Sequence, residues 1–146
     1  MFIRINSIKY NNSVVDGPGI RTILFTQGCN IHCYGCQNKL TWDINKGKEV
    51  DIDMLIDELN KKVFNKKITI SGGEPLMQEK ALIELITKLY DLGFDIALYT
   101  GHQIKDVPSI LLEKIKYLKT GNFIEELKTT IKPFVGSSNQ VFEEIK

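Results

Sequence analysis

IRTILFTQGCNIHCYGC, residues 20–36, decides how this chain folds. Its first part, Ile20 to Thr26, is a largely apolar run of strand length, and such runs read as strands buried inside a parallel sheet. Cys29, Cys33 and Cys36 follow at once, and they are the only cysteines in the sequence. Three thiolates gathered on one short loop fall one short of the four that usually hold an iron–sulfur cube. A [4Fe–4S] cluster held by three cysteines keeps one iron without a protein ligand. An open coordination position is what separates catalytic metal sites from closed structural ones. Gly35 and Gln37 bracket the last cysteine, so a ligand on the open iron passes close to their backbone.

Two blander readings stand beside the cluster. Zinc accepts Cys₃His ligation, with His32 or His102 as the fourth ligand. However, His32 lies between the first two cysteines, and the paired C-x₂-C knuckles of zinc modules are missing. Unligated core thiols are the other reading, but three of them beside Gly28 and Gly35 make a poor core segment. The cluster is the favoured reading.

Outward from this stretch, strand-like runs alternate with helical patterns. Lys67 to Ile70 and Asp95 to Tyr99 read as further buried strands, and Tyr117 to Lys119 as a last one. Ile52, Leu55, Ile56, Leu59 and Val63 recur at helical spacing, with Asp51 as N-cap. Leu82, Leu85, Ile86 and Leu89 form a second helical face that Gly93 stops, and a shorter helix starts at Pro108. Strand–helix alternation implies parallel strands joined by right-handed crossovers. A closed eight-fold barrel takes about 250 residues. The 146 residues here are expected to form one domain, 1–146, of α/β class, built as a partial, open (βα) barrel.

Lysine plus arginine (19) nearly balances aspartate plus glutamate (18), leaving no bulk field for nucleic acid or an anionic membrane. Lys61, Lys62, Lys66 and Lys67 read as a solvated face. No apolar stretch reaches transmembrane length, and the first ten residues lack a signal-peptide layout. An odd cysteine count without an export signal points to a reducing, cytoplasmic compartment.

In parallel α/β folds function gathers at the C-terminal ends of the strands. The cysteine loop leaves the first core strand there, Ser71-Gly72-Gly73-Glu74-Pro75 leaves the next, and Tyr99-Thr100-Gly101-His102 the third. Alone, the Gly-Gly-Glu-Pro stretch is a tight strand-to-helix turn. Beside the cysteines, its missing side chains also let backbone approach a ligand. Asp16-Gly17-Pro18-Gly19 is a turn with two flexible joints. Arg21 emerges from a mostly apolar strand and is expected to pair with a carboxylate. Trp42 is read as a packing residue, His102 as solvent-exposed, and residues 136–140 as a polar, flexible segment.

Several stretches in order, namely Val15-Asp16-Gly17-Pro18-Gly19-Ile20-Arg21-Thr22, Gln27-Gly28-Cys29 through Cys36-Gln37-Asn38, Thr41-Trp42, the Ser71–Pro75 segment, Thr100-Gly101 and Gly136-Ser137-Ser138-Asn139-Gln140, together resemble the radical S-adenosylmethionine family. Within it the match is to glycyl-radical activating enzymes of the anaerobic ribonucleoside-triphosphate reductase type. The resemblance implies the same partial barrel, a [4Fe–4S] cluster on Cys29, Cys33 and Cys36, and S-adenosyl-L-methionine on the open iron. It implies reductive cleavage of that cofactor to methionine and a 5′-deoxyadenosyl radical, which takes a hydrogen atom from a glycine of the reductase. A one-electron donor such as a flavodoxin or ferredoxin is implied as a second partner. Gly73, then Glu74, are implied at the methionyl amino group, with Gly35, Cys36 and Gln37 lining the cofactor. Many family members carry an aromatic residue where Gly35 stands; Tyr34, one residue earlier, is the available substitute. The Asp16 turn is implied near the partner's loop. The rivals are an activase for another glycyl-radical enzyme such as pyruvate formate-lyase, a non-catalytic electron-transfer or sensor module, and a zinc-binding module.

Overall fold

The computed structural model describes residues 1–13, 16–36 and 39–145. Among them, seven strands form one sheet: β1 (Phe2–Ser13), β2 (Arg21–Thr26), β3 (Lys48–Asp51), β4 (Lys67–Gly72), β5 (Asp95–Tyr99), β6 (Tyr117–Thr120) and β7 (Val141–Glu144). Their order across the sheet is β3-β1-β2-β4-β5-β6-β7. The central β2, β4, β5 and β6 run parallel, while β1, β3 and β7 pair antiparallel at the flanks. β3 and β7 remain edges, so the sheet is an open, partial (βα) barrel, as the strand–helix alternation requires.

The helices follow the apolar spacing. Helix α1 (Ile52–Lys62) is capped by Asp51, whose carboxylate accepts from the Met54 N–H at 3.1 Å. Helix α2 (Glu79–Asp91) is followed by Gly93 at φ +84°, and α3 (Ser109–Leu112) starts just after Pro108. Their apolar faces close over one side of the sheet. Leu24, Ile68, Ile70, Ile96, Leu98 and Leu118 point into that layer, against Ile52, Leu55, Leu59, Leu82, Leu85 and Leu89. Side chains alternate along a strand, so the next residue of each strand faces the other way, into the barrel's open interior.

The parallel strands and both long helices lie where the periodicity put them, with β4 running on to Gly72. The flanking strands were not legible. In β1 the outward set changes phase, Ile3 and Ile5 giving way to Ile8 and Tyr10, because a bulge between Ile5 and Ser7 inserts an extra residue. The short strands β3 (KEVD) and β7 (VFEE) carry charges, which suits exposed sheet edges and hides them among loops.

At the lower end of the interior face Arg21 is fully buried. Its guanidinium donates to Thr69 Oγ1, to the carbonyls of Pro18, Ile68 and Asp95, and to Asp95 Oδ1 at 2.9 Å. The expected carboxylate partner is therefore Asp95. A buried charge that is paired and fully hydrogen-bonded escapes most of its desolvation cost. Here it also ties the turn at Pro18 to three strands. Thr69 Oγ1 donates to the Asp16 carbonyl at 2.5 Å, which lays that turn across the interior face.

Candidate active site

The upper ends of β2, β4, β5 and β6 surround one cavity, whose wall contains Cys29, Cys33 and Cys36 together with Gly73, Glu74 and Gly101. The three loops that sequence reading put on one rim do meet there. Their backbones are joined directly. Gly28 N–H donates to the Thr41 carbonyl (2.5 Å) and Cys29 N–H to that of Trp42 (3.0 Å), while Gly28's own carbonyl accepts from Glu74 N–H (2.8 Å).

Cys36 N–H donates to the Cys33 carbonyl at 3.1 Å, closing a four-residue turn over Cys33-Tyr34-Gly35-Cys36. Gly35, third in that turn, has φ +75°, the value a type II turn demands at this place. The turn brings two cysteines to the same cavity, and a side chain at Gly35 would run into the Glu125 carboxylate. Tyr34 is 80 % exposed. Gln37, expected beside the cofactor, lies outside the described residues.

Cys29, Cys33 and Cys36 form no disulfide with one another. Burial pushes the Cys33 thiol up, a hydrogen bond from the Phe123 backbone pulls it back, and Cys36 and Cys29 push it up again. Among the described residues no three Cys, His, Asp or Glu side chains are gathered as a single-ion site. One zinc ion at Zn–S about 2.3 Å would hold thiolates about 3.8 Å apart. A cube gives each thiolate its own iron and takes three cysteines that share one cavity, the donor set present here. His32 is turned onto Trp42, rings stacked at 4.4 Å and 12°. His102 sits 4.0 Å from Asp106, half exposed.

Gly73 and Glu74 are placed differently from a simple ligand contact. A Cβ on Gly73 would stand 2.3 Å from the Gly28 carbonyl oxygen, so its lack of a side chain serves the approach of the cysteine loop. Only its backbone is left to the cavity. Glu74 is buried, and its carboxylate accepts from Leu76 N–H (2.9 Å), Thr100 Oγ1 (2.8 Å) and Gly101 N–H (2.7 Å). It fastens the β4 loop to the β5 loop.

Sequence reading gave three contributors no role at the site. Tyr99 and Lys119 are the last interior-facing residues of neighbouring strands and paired in register. Both line the cavity. Among the described residues the buried Tyr99 hydroxyl has no hydrogen-bond partner, and burial followed by the nearby Asp16 carboxylate pushes its ionisation far up. A buried orphan hydroxyl in a cavity wall fits a polar occupant that supplies its partner. Gln140 is the third. Its side chain accepts from the Gly136 and Ser137 N–H groups and donates to the Gly121 carbonyl. Residues 136–140, expected to be flexible, are thus an ordered turn closing one side of the cavity. The signal for Lys119 was a lysine in phase with Tyr99, legible only once Tyr117–Thr120 is accepted as a strand.

The model of the 4Fe-4S single cluster domain matches residues 15–143. The anaerobic ribonucleoside-triphosphate reductase-activating protein of Salmonella typhimurium is 31% identical over 94% of this chain and 96% of its own length. That of Escherichia coli K12 is 32% identical over the same shares. The chain belongs to this family of 4Fe-4S reductase-activating proteins. The family shares ground with the pyruvate formate-lyase-activating enzyme of Clostridium pasteurianum, 39% identical over 67% of this chain but only 43% of that protein. Among solved structures, QueE from Escherichia coli superposes with a TM-score of 0.61, covering 79% of this chain and 68% of that one. At 18% identity this shows the fold alone.

Proposed function

We propose that Cys29, Cys33 and Cys36 hold the cluster and that the cavity they share with the β4 and β5 loops seats S-adenosyl-L-methionine. The protein is an oxidoreductase, a glycyl-radical activase of the radical S-adenosylmethionine type, and anaerobic ribonucleoside-triphosphate reductase is its protein substrate. One observation carries the site reading: the three cysteines of one loop line a single cavity together with Gly73, Glu74, Thr100 and Lys119 from three other strand ends.

Held by Cys29, Cys33 and Cys36, the cluster would supply the one-electron reduction that S-adenosyl-L-methionine cleavage and glycyl-radical formation on the reductase require. The chain's own part is placement. The Cys33–Cys36 turn fixes two thiolates, and Gly28 and Gly73 lock the loop to the sheet. Glu74 holds the facing loop, leaving the Gly73 backbone for the cofactor's amino group. The open side of the sheet gives a partner's loop its entry past the Asp16 turn. Residues 1–146 act as one domain, in the cytoplasm, with an electron donor such as a flavodoxin or ferredoxin and without nucleic acid or a membrane. Among the described residues no helix is long and apolar enough to cross a membrane.

The test is anaerobic. Reconstituted protein, S-adenosyl-L-methionine, a reductant and a class III ribonucleotide reductase from the same source should give the electron paramagnetic resonance doublet of a glycyl radical. A doublet on pyruvate formate-lyase but not on the reductase would overturn the partner. Stoichiometric zinc without iron absorption would overturn the cluster site.

A further inference from the structure

Lys119 supplies the positive charge on the cavity wall. Strand β6 reads YLKT, and Leu118 goes to the helix-covered core, so Tyr117 and Lys119 face the interior. Lys119 pairs with Tyr99 on one side and Phe142 on the other. Its ammonium rests on the Tyr99 ring, 4.2 Å from the centroid. An aromatic face holds a cation without neutralising it. Burial drags the Lys119 ammonium down to about 8, while Asp16, Cys36 and Cys33 act to keep it charged. Glu74, the other charged group on the wall, is committed to Thr100, Gly101 and Leu76. Glu125 stands against Gly35. Cys33 and Cys36 line the same cavity wall as Lys119, and the nearby Asp16 carboxylate favours its charge.

We propose that Lys119 is the counter-charge of the cluster and raises its reduction potential; this rests on the reading of Cys29, Cys33 and Cys36 as its ligands. A cube on three thiolates is anionic, and the electron it accepts makes it more so. A fixed cation in a partly desolvated wall therefore stabilises the reduced form more than the oxidised one. Net charge and solvent exposure around the sulfurs are among the quantities that set such potentials. Asp16 works in the opposite sense. Its turn, pinned by Thr69 and Arg21, holds a carboxylate near the same ammonium.

The experiment is a redox titration of anaerobically reconstituted protein without S-adenosyl-L-methionine, followed by visible absorption and by the reduced-state resonance signal. Lys119→Met should lower the reduction equilibrium about tenfold, about 59 mV for a one-electron couple. Lys119→Arg should leave the midpoint in place, and Asp16→Asn should raise it. Lys116→Met, on an exposed lysine outside the cavity wall, is the control and should not move it. Iron lost from Lys119→Met but kept by Lys119→Arg with an unmoved midpoint also supports the role, since the two cations share only charge. An unmoved midpoint in Lys119→Met at full iron content overturns the proposal. If that variant also binds S-adenosyl-L-methionine more weakly, Lys119 belongs to the cofactor's carboxylate instead. An arginine variant that loses iron or shifts like methionine overturns it as well. Wild-type protein that takes up no iron refutes the cluster site itself, a separate failure.

Discussion

Ile68, Ile70, Ile96, Leu98 and Leu118 leave one face of the parallel strands, while Thr69, Ser71, Ala97, Tyr99 and Lys119 leave the other. The first set is fully buried under α1 and α2. It is interchangeable hydrocarbon, held by area removed from water. The second set is polar or aromatic except for Ala97, and it is covered by turns and loops rather than by a helix layer. Polar groups on this face need specific partners: Arg21 has Asp95, Thr69 has the Asp16 carbonyl, and the Tyr99 hydroxyl has none among the described residues. The same four strands thus carry a face that resists unfolding and a face that waits for ligands. Substitutions on the two should fail in different assays.

The largest effect belongs to the ligand face. Cys29→Ala, Cys33→Ala or Cys36→Ala should each abolish glycyl-radical formation and stable cluster loading, because the chain has no spare thiol. Metal-free protein should melt within about a degree of wild type, as partly exposed thiols contribute little packing. A variant that keeps full activity would remove that residue from the ligand set.

Gly73→Ala comes next and tests the seam between the faces. Its Cβ would press on the Gly28 carbonyl at 2.3 Å, so the cysteine loop must shift. Iron retention and S-adenosyl-L-methionine binding should therefore fall together. Loss of cofactor binding at unchanged iron content would show instead that Gly73 serves the ligand alone.

On the helix-covered face, Leu85→Ala should lower stability by about 2–5 kcal/mol in urea denaturation. Cluster loading of the folded fraction should not change. Glu74→Gln should cost less, about 1–3 kcal/mol, since its amide places a donor against the N–H groups or hydroxyl that the carboxylate serves. Thermal melts of metal-free protein measure it, and a neutral outcome would mean that the two loops are held by backbone contacts alone.

The smallest effect is a pH slope. Lys119 titrates near 8 in the folded protein, below its unfolded value of 10.5. Between those limits the unfolded chain binds the proton that the folded chain has released, so this group's contribution to stability rises with pH. In metal-free protein the stability of wild type relative to Lys119→Met should accordingly increase from pH 8 to pH 10. A flat difference would place the ammonium in bulk solvent.

Sequence alone determined the elements whose signal is local. Three apolar runs, two helical faces with the Asp51 cap, the cysteine loop and the order of the rim loops were all readable, because periodicity and turn chemistry are written within a few residues. Tertiary structure decided what depends on which strand lies beside which. The bulge that reverses the phase of β1 exists only against β2, and the charged strands β3 and β7 are strands only because β1 and β6 offer them an edge. That the missing side chain of Gly73 also makes room for the Gly28 carbonyl shows only in the fold, and 136–140 looked flexible until Gln140 met Gly121. Lys119 reaches Tyr99 and the cysteines through register between neighbouring strands, and register is a property of pairs that no single stretch of sequence contains.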